Sequence, residues 1–148
     1  MAPQTLAQQR ARHAWDEVQE GKKRLATECR EELARKGKRL SPADLEKAEL
    51  KKFDDKFAGP AKKMPIRIRA SGLGQTVAFM RAKEGGEVVA ALTAWCRQRE
   101  LINQASDDAL MIQFKDGTAA DLRQLTAEAL AYLEWLVRFA DAAKGGKS

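Results

Sequence analysis

The chain has 148 residues, close to the size of one domain, so we expect a single helical domain spanning residues 1–148. Its 27 Lys and Arg outnumber its 21 Asp and Glu, which gives a formal net charge of +6 and favours a polyanionic partner. No apolar run approaches the roughly 18 residues that span a bilayer, and the N-terminal residues are too polar for a signal peptide. We therefore expect a soluble, cytoplasmic protein with no membrane partner.

Helix-forming residues dominate the chain, while aromatic and β-branched residues are scarce. Apolar residues that recur at three- and four-residue steps predict one long amphipathic helix over Thr5–Lys36. A capping serine, a proline and an acidic residue at 41–44 predict a second helix from Pro42 to about Phe57. Gly59-Pro60 then predicts a break, and Pro65 the start of another short helix.

The second half of the chain continues this helical pattern. Residues 109–114 have the composition of a strand, but no second strand is available to pair with them, so we favour a helix. The predicted elements are a tight turn at Ser71–Gly74, a helix over Gln75–Lys83, a glycine break at 85–86, a helix from Glu87 to about Gln104, a polar break at 103–107, a helix over Ala109–Phe114, a helix over Ala119–Ala143 and a frayed tail from about residue 144. The fold class is all-α: a compact bundle of about five to seven helices with a long N-terminal helix.

Residues suited to catalysis or metal binding are few. Cys29 and Cys96 lack neighbouring ligands and are predicted to be small buried or half-buried side chains, and His13 is predicted to be solvated or capping on a charged helix. The carboxylate pairs 31–32, 54–55 and 107–108 point about 100° apart around a helix, which suits solvent better than a metal. Trp15, Trp95 and Trp135 have helical apolar spacing and are predicted to anchor the core or an interface. We therefore predict no enzyme, no catalytic residue, no cofactor and no metal.

One stretch carries an unbalanced charge. Between Pro60 and Lys83 there is no Asp or Glu, whereas a solvated face usually mixes both signs. We call residues 60–83 the basic segment, and we predict that its cations bind nucleic acid: Lys62, Lys63, Arg67, Arg69, Arg81 and Lys83. The cluster Lys22-Lys23-Arg24 is the next candidate.

Two stretches carry a family resemblance: KKMPIRIRASGLGQTVAFM at 62–80 and LTAEALAYLEWLVRFA at 125–140. Together they resemble the Cmr small subunit of type III-B CRISPR effector complexes, over about residues 60–143. The matching positions of the first stretch are Lys63, Pro65, Gly72, Leu73, Ala78 and Phe79. Those of the second are Thr126, Glu128, Ala129, Leu130, Trp135, Leu136, Arg138, Phe139 and Ala140.

The resemblance implies a non-catalytic helical subunit of an RNA-guided ribonucleoprotein in antiviral defence. Such a subunit stacks with neighbouring copies of itself into a filament, contacts other Cmr subunits, and faces guide RNA and target RNA. One alternative is a stand-alone helical nucleic-acid-binding protein, although no clear helix-turn-helix pattern is present. Another is a small helical nuclease, for which a single histidine supplies few metal ligands.

Overall fold

The structure is a computed structural model that describes residues 2–103 and 108–145, and it confirms the all-α class. Within these residues there are seven α-helical segments, and two of them are joined by a π-helical turn into one continuous helix. The segments are α1 (Leu6–Arg35), α2 (Pro42–Phe53), α3 (Gly59–Ser71), α4 (Leu73–Ala82), α5 (Gly86–Gln98), α6 (Ala109–Asp116) and α7 (Ala119–Ala143), with the π turn at Asp54–Ala58. Among the described residues, no helix is long and apolar enough to cross a membrane.

The long N-terminal helix is confirmed, and local chemistry sets both of its ends. The Thr5 hydroxyl accepts a hydrogen bond from the Gln8 backbone N–H at 3.1 Å, and the Gln8 side chain accepts one from the Thr5 N–H at 2.8 Å. At the other end Gly37 takes a φ of +68°, and the Lys38 N–H closes the turn on the Leu33 carbonyl at 2.9 Å. Glycine is the residue that adopts this left-handed conformation most readily.

The predicted break at Gly59-Pro60 is wrong, and so is the predicted helix start at Pro65. One continuous helix, made of α2, the π turn and α3, runs from Pro42 to Ser71, and Pro65 lies inside α3. The π turn explains Pro60, because a widened turn removes the clash between a proline ring and the carbonyl of the preceding turn. Pro65 costs one helical hydrogen bond, which the burial of its neighbours Met64 and Ile68 offsets.

Two further boundaries differ from prediction. The turn before α4 is shorter than expected, because Gly72 alone makes the bend at a φ of +85° and α4 begins at Leu73. Helix α5 ends at Gln98, so a helix reaching about Gln104 is wrong. Glu100 adopts a φ of +59°, and the Leu101 N–H bonds the Cys96 carbonyl at 2.9 Å, which terminates the helix without a glycine.

The last two helices follow prediction closely. Helix α6 forms where a helix was favoured over a strand, and α7 has the predicted bounds. Thr118 and Asp121 cap α7 with reciprocal hydrogen bonds of 3.1 and 3.2 Å. The predicted polar break at 103–107 falls largely on residues 104–107, and the predicted tail includes 146–148; both ranges lie outside the described residues.

The core lies around α7, which packs against α1, α3 and α5. Its largest fully buried side chains include Trp95 and Tyr132, whose rings stack at 5.4 Å with 7° between their planes. Cys29 and Cys96 are buried free thiols, as predicted. Burial raises the pKa of Cys96 to about 12, so this thiol stays protonated at neutral pH.

Candidate nucleic-acid interface

Helix α3 turns most of the basic segment toward solvent. It buries Ala61, Met64 and Ile68, which lie three and four residues apart along one face. The remaining positions form two strips that follow the same helical spacing. One strip is Lys62, Ile66 and Arg69, all exposed, and the other is Lys63 and Arg67.

A groove opens where α3 packs on α4 beside the π turn. Its volume is about 610 Å³, and the basic side chains at its wall are Lys63, Arg67 and Lys83. The full lining is Asp54, Asp55, Gly59, Pro60, Lys63, Arg67, Phe79, Met80, Lys83, Glu84 and Gly85. Three cations that are up to 20 residues apart in sequence therefore share one concave surface.

The cations on α3 and at the groove wall share a second feature, which is that they have no carboxylate partner. In the part of the chain that the structure describes, Lys62, Lys63, Arg67, Arg69 and Lys83 form no ion pair within 4 Å. Elsewhere, Arg30 pairs with Glu49 at 2.9 Å and Lys52 with Glu32 at 2.5 Å. The unpaired cations therefore remain available to an external anion.

Arg81 is placed apart from the other predicted residues. Its guanidinium pairs with the Asp108 carboxylate. It also lines a separate depression of about 500 Å³ together with Arg97. The structure thus brings Lys63, Arg67 and Lys83 together, leaves Lys62 and Arg69 on the adjoining strip of α3, and separates Arg81.

The second basic cluster is largely engaged within the fold. The Lys22 Nζ donates to the Ala143 carbonyl at 2.7 Å, near the C-terminal end of α7. Arg24 pairs with Glu87. Of these three cations, Lys23 alone has no hydrogen-bond or ion-pair partner among the described residues. The basic segment therefore remains the stronger candidate.

Phe79 is a groove residue that sequence reasoning did not assign to the site. Its side chain is 43% exposed on α4, and the Arg67 Cζ lies 4.2 Å from the centre of its ring. The sequence signals for it are its place within an acid-free basic stretch and its place among the matching positions of the family resemblance. The contact with Arg67 depends on how α3 packs against α4, which helical spacing does not reveal.

The prediction that His13 is solvated or capping is wrong. His13 is half-buried, and its Nδ1 lies 2.8 Å from the Tyr132 hydroxyl. Its ring also packs against the Trp95 ring at 5.3 Å. The reason is that α1 lies along α7, so the face of α1 carrying His13 meets the aromatic core. Burial lowers the pKa of His13, and the nearby charge of Asp16 opposes this more weakly.

The three tryptophans have different environments. Trp95 lies in the core, while Trp15 on α1 is 50% exposed. The Trp15 and Phe139 rings meet edge to face at 5.3 Å, and the Trp135 ring lies 5.8 Å from that of Phe139. Trp15, Trp135 and Phe139 form what we call the aromatic patch, on α1 and α7 rather than on the helices of the basic segment.

No group of three or more His, Cys, Asp or Glu suited to a metal ion occurs in residues 2–103 and 108–145.

The comparisons with known proteins bear on the family of the chain. Neither the curated proteins nor the solved structures gave a significant match. The family described as CRISPR-associated protein (Cas_Cmr5) matches residues 6–143, which confirms the resemblance seen in the sequence. The chain therefore belongs to this family, the small subunits of type III-B CRISPR (Cmr) complexes.

Proposed function

We propose that the chain is a non-catalytic small subunit that binds the backbone of guide or target RNA within a Cmr ribonucleoprotein. The observation that carries this proposal is the set of unpaired cations along α3 and the groove. Contacts between Lys or Arg and phosphates give affinity without reading sequence. This suits a complex in which base pairing with the guide RNA reads the target. Its cellular role would be cytoplasmic antiviral defence.

The aromatic patch supports the second part of the proposal, which is assembly with neighbouring copies and other Cmr subunits. Aromatic side chains are enriched at protein interfaces, where they supply large contact areas. Head-to-tail stacking also needs two different surfaces on each copy. The aromatic patch lies on α1 and α7 and the basic segment on α3 and α4, so the two proposed contacts use different residues of the chain.

The RNA-binding proposal is tested in the assembled complex with Lys62, Lys63 and Arg69 changed together to Ala. We expect weaker binding of every target RNA sequence, and a salt dependence that is flatter by about 0.7 for each single-strand phosphate that the variant no longer neutralises. The matched control changes Lys36, Lys38 and Arg39 to Ala, which removes the same charge from the end of α1 and the loop that follows it. Equal loss of affinity in both triple variants would show a net-charge effect and contradict a local RNA surface.

The non-catalytic part of the proposal needs a separate assay. The purified chain is incubated with RNA or DNA and divalent metal ions, and we expect no cleavage above background. A nuclease activity that persists through further purification and disappears in His13→Ala would contradict the proposal, provided that the variant remains folded by circular dichroism.

A further inference from the structure

The groove contains an exposed aromatic ring beside a planar cation. Phe53 and Phe57 each have about 1% of their surface exposed to solvent, whereas Phe79 is 43% exposed. One exposed apolar side chain is ordinary and needs no explanation. Phe79 is different because Arg67 lies over its ring at 4.2 Å and both residues line the same groove of about 610 Å³.

The charges around this pair are arranged asymmetrically. Each carboxylate at the groove is paired with a lysine: Asp54 with Lys144 at 3.4 Å, Asp55 with Lys51 at 2.9 Å and Glu84 with Lys56 at 2.9 Å. Lys63 and Lys83 have no such partner in the described residues. The charge at the groove that has no ion-pair partner is therefore positive, and it is carried by Lys63, Lys83 and Arg67 of the Arg67–Phe79 pair.

These features together fit a ligand that has a flat apolar face and an adjoining negative charge. We propose that the Arg67–Phe79 pair stacks one unpaired nucleobase of single-stranded RNA, while Lys63 and Lys83 contact the neighbouring phosphates. Stacking on an aromatic ring tolerates any base, because every base has a π face. The groove volume lies within the range of about 300–1,000 Å³ typical of ligand clefts. This inference rests on the proposed RNA-binding function and adds a base contact to it.

The ring could also serve a merely structural role, since the Arg67–Phe79 contact joins α3 to α4. A structural role would affect binding of any polyanion equally, through the position of the lysines. A stacking role would affect only a ligand that has bases. The two roles are therefore separated by comparing RNA with an abasic ribose-phosphate oligomer of the same length and charge.

The test measures binding of the full chain to a single-stranded RNA and to the matched abasic oligomer at low salt. Phe79→Ala should weaken RNA binding by between about 5-fold and 150-fold, the equivalent of one stacked base, and leave binding of the abasic oligomer unchanged. Phe79→Tyr should retain RNA binding. Leu40→Ala is the matched control, because Leu40 is 39% exposed in the loop between α1 and α2 and does not line the groove.

The outcomes separate this inference from the function on which it rests. If the Lys63→Ala and Lys83→Ala changes weaken both ligands but Phe79→Ala weakens neither, base stacking is wrong and backbone binding stands. If the lysine changes weaken neither ligand, the proposed RNA surface itself is wrong. If Phe79→Ala spares RNA binding but releases the chain from the other Cmr subunits, the groove binds a protein partner and the inference is overturned.

Discussion

Arg10 and Glu128, which are 118 residues apart, are joined by two parallel hydrogen bonds. The Arg10 Nε donates to Glu128 Oε2 at 2.6 Å, and the Nη2 donates to Oε1 at 2.9 Å. The Trp95 indole N–H donates to the same carboxylate at 2.9 Å. One largely buried carboxylate thus connects α1, α5 and α7. Burial raises the pKa of Glu128, but the hydrogen bonds from Arg10 and Trp95 outweigh it and hold the pKa below 4.5.

Removal of Arg10 should therefore leave the buried Glu128 carboxylate with the Trp95 indole N–H as its remaining hydrogen-bond donor among the described residues. We expect Arg10→Met, which keeps the aliphatic volume, to lower the free energy of unfolding by about 3 kcal/mol, near the low end for a broken buried pair. The low end applies because the Arg10 side chain is 20% exposed. Chemical denaturation measures the change. The control is Lys51→Met, because the pair of Lys51 with Asp55 is exposed and should contribute little to stability. Equal effects in the two variants would contradict this role of Arg10.

His13 should make stability depend on pH near neutrality. Its pKa is lowered in the folded state from the usual 6.5, so the unfolded chain binds the proton more readily. The free energy of unfolding should therefore fall as the pH drops through 6.5, and stop falling below the folded-state pKa. The chain has one histidine, so His13→Asn should remove this dependence. Denaturation midpoints measured at intervals between about pH 7.5 and 5 give the comparison.

The difference between wild type and His13→Asn is the quantity to examine. Burial raises the pKa of Glu17, which works in the opposite direction at lower pH. Since both proteins retain Glu17, its effect cancels in the difference. A difference that does not vary with pH would show that the burial of His13 does not affect its proton affinity.

The helix types and most helix bounds followed from local chemistry. Repeated apolar spacing and a terminal glycine were enough to predict α1, and α7 was predicted to within a residue. The errors lie where backbone geometry overrides a residue's usual preference. Pro60 is accommodated by a π turn, Pro65 by a helix whose buried face keeps it intact, and Glu100 by a left-handed turn that usually selects glycine.

The spacing of apolar residues along the chain could not predict which side chains meet between helices. Glu128 belongs to the second stretch of the family resemblance, but nothing local indicates that Arg10 and Trp95 reach it. The same holds for the candidate interface. Charge along the chain identified the basic segment, whereas the selection of Lys63, Arg67 and Lys83 for one groove required the packing of α3 on α4.

Gly21 should be required for the close approach of α1 to the π turn. A Cβ added there would lie 2.8 Å from the Phe57 Cε2, so the Phe57 ring, which is buried and stacked on Phe53, would have to shift. Alanine gains about 1 kcal/mol in helix propensity over glycine, but overpacking a core typically costs about 1–3 kcal/mol. We expect Gly21→Ala to lower the thermal midpoint. The double variant Gly21→Ala with Phe57→Leu should recover part of the stability, and an increase in the single variant's midpoint would contradict the clash.

Leu133 should contribute to stability through burial alone. It is fully buried at the centre of α7. Leu133→Ala should lower the free energy of unfolding by about 2–5 kcal/mol, because less apolar surface is buried and a cavity remains. Leu122 on the same helix is half-buried and gives the matched control, with a smaller decrease expected. A denaturation midpoint for Leu133→Ala equal to that of the parent would contradict its placement in the core.

Trp15 should matter for assembly more than for folding. Half of its surface is exposed, and its contact with Phe139 places it at the edge of the aromatic patch. If the aromatic patch binds a neighbouring subunit, Trp15→Ala removes an interface anchor, which typically costs about 2 kcal/mol or more, or roughly 30-fold in affinity. Native mass spectrometry of the reconstituted complex should then show fewer copies of this subunit.

The isolated Trp15→Ala chain should remain helical by circular dichroism, since the ring packs at the surface of the fold. Leu40→Ala is the control, because Leu40 is 39% exposed in the loop between α1 and α2 and lies outside the aromatic patch. It should leave the stoichiometry unchanged. A Trp15→Ala complex with its full number of copies and undiminished salt resistance would exclude the aromatic patch as the contact between subunits, and the head-to-tail surface would then lie elsewhere on the chain.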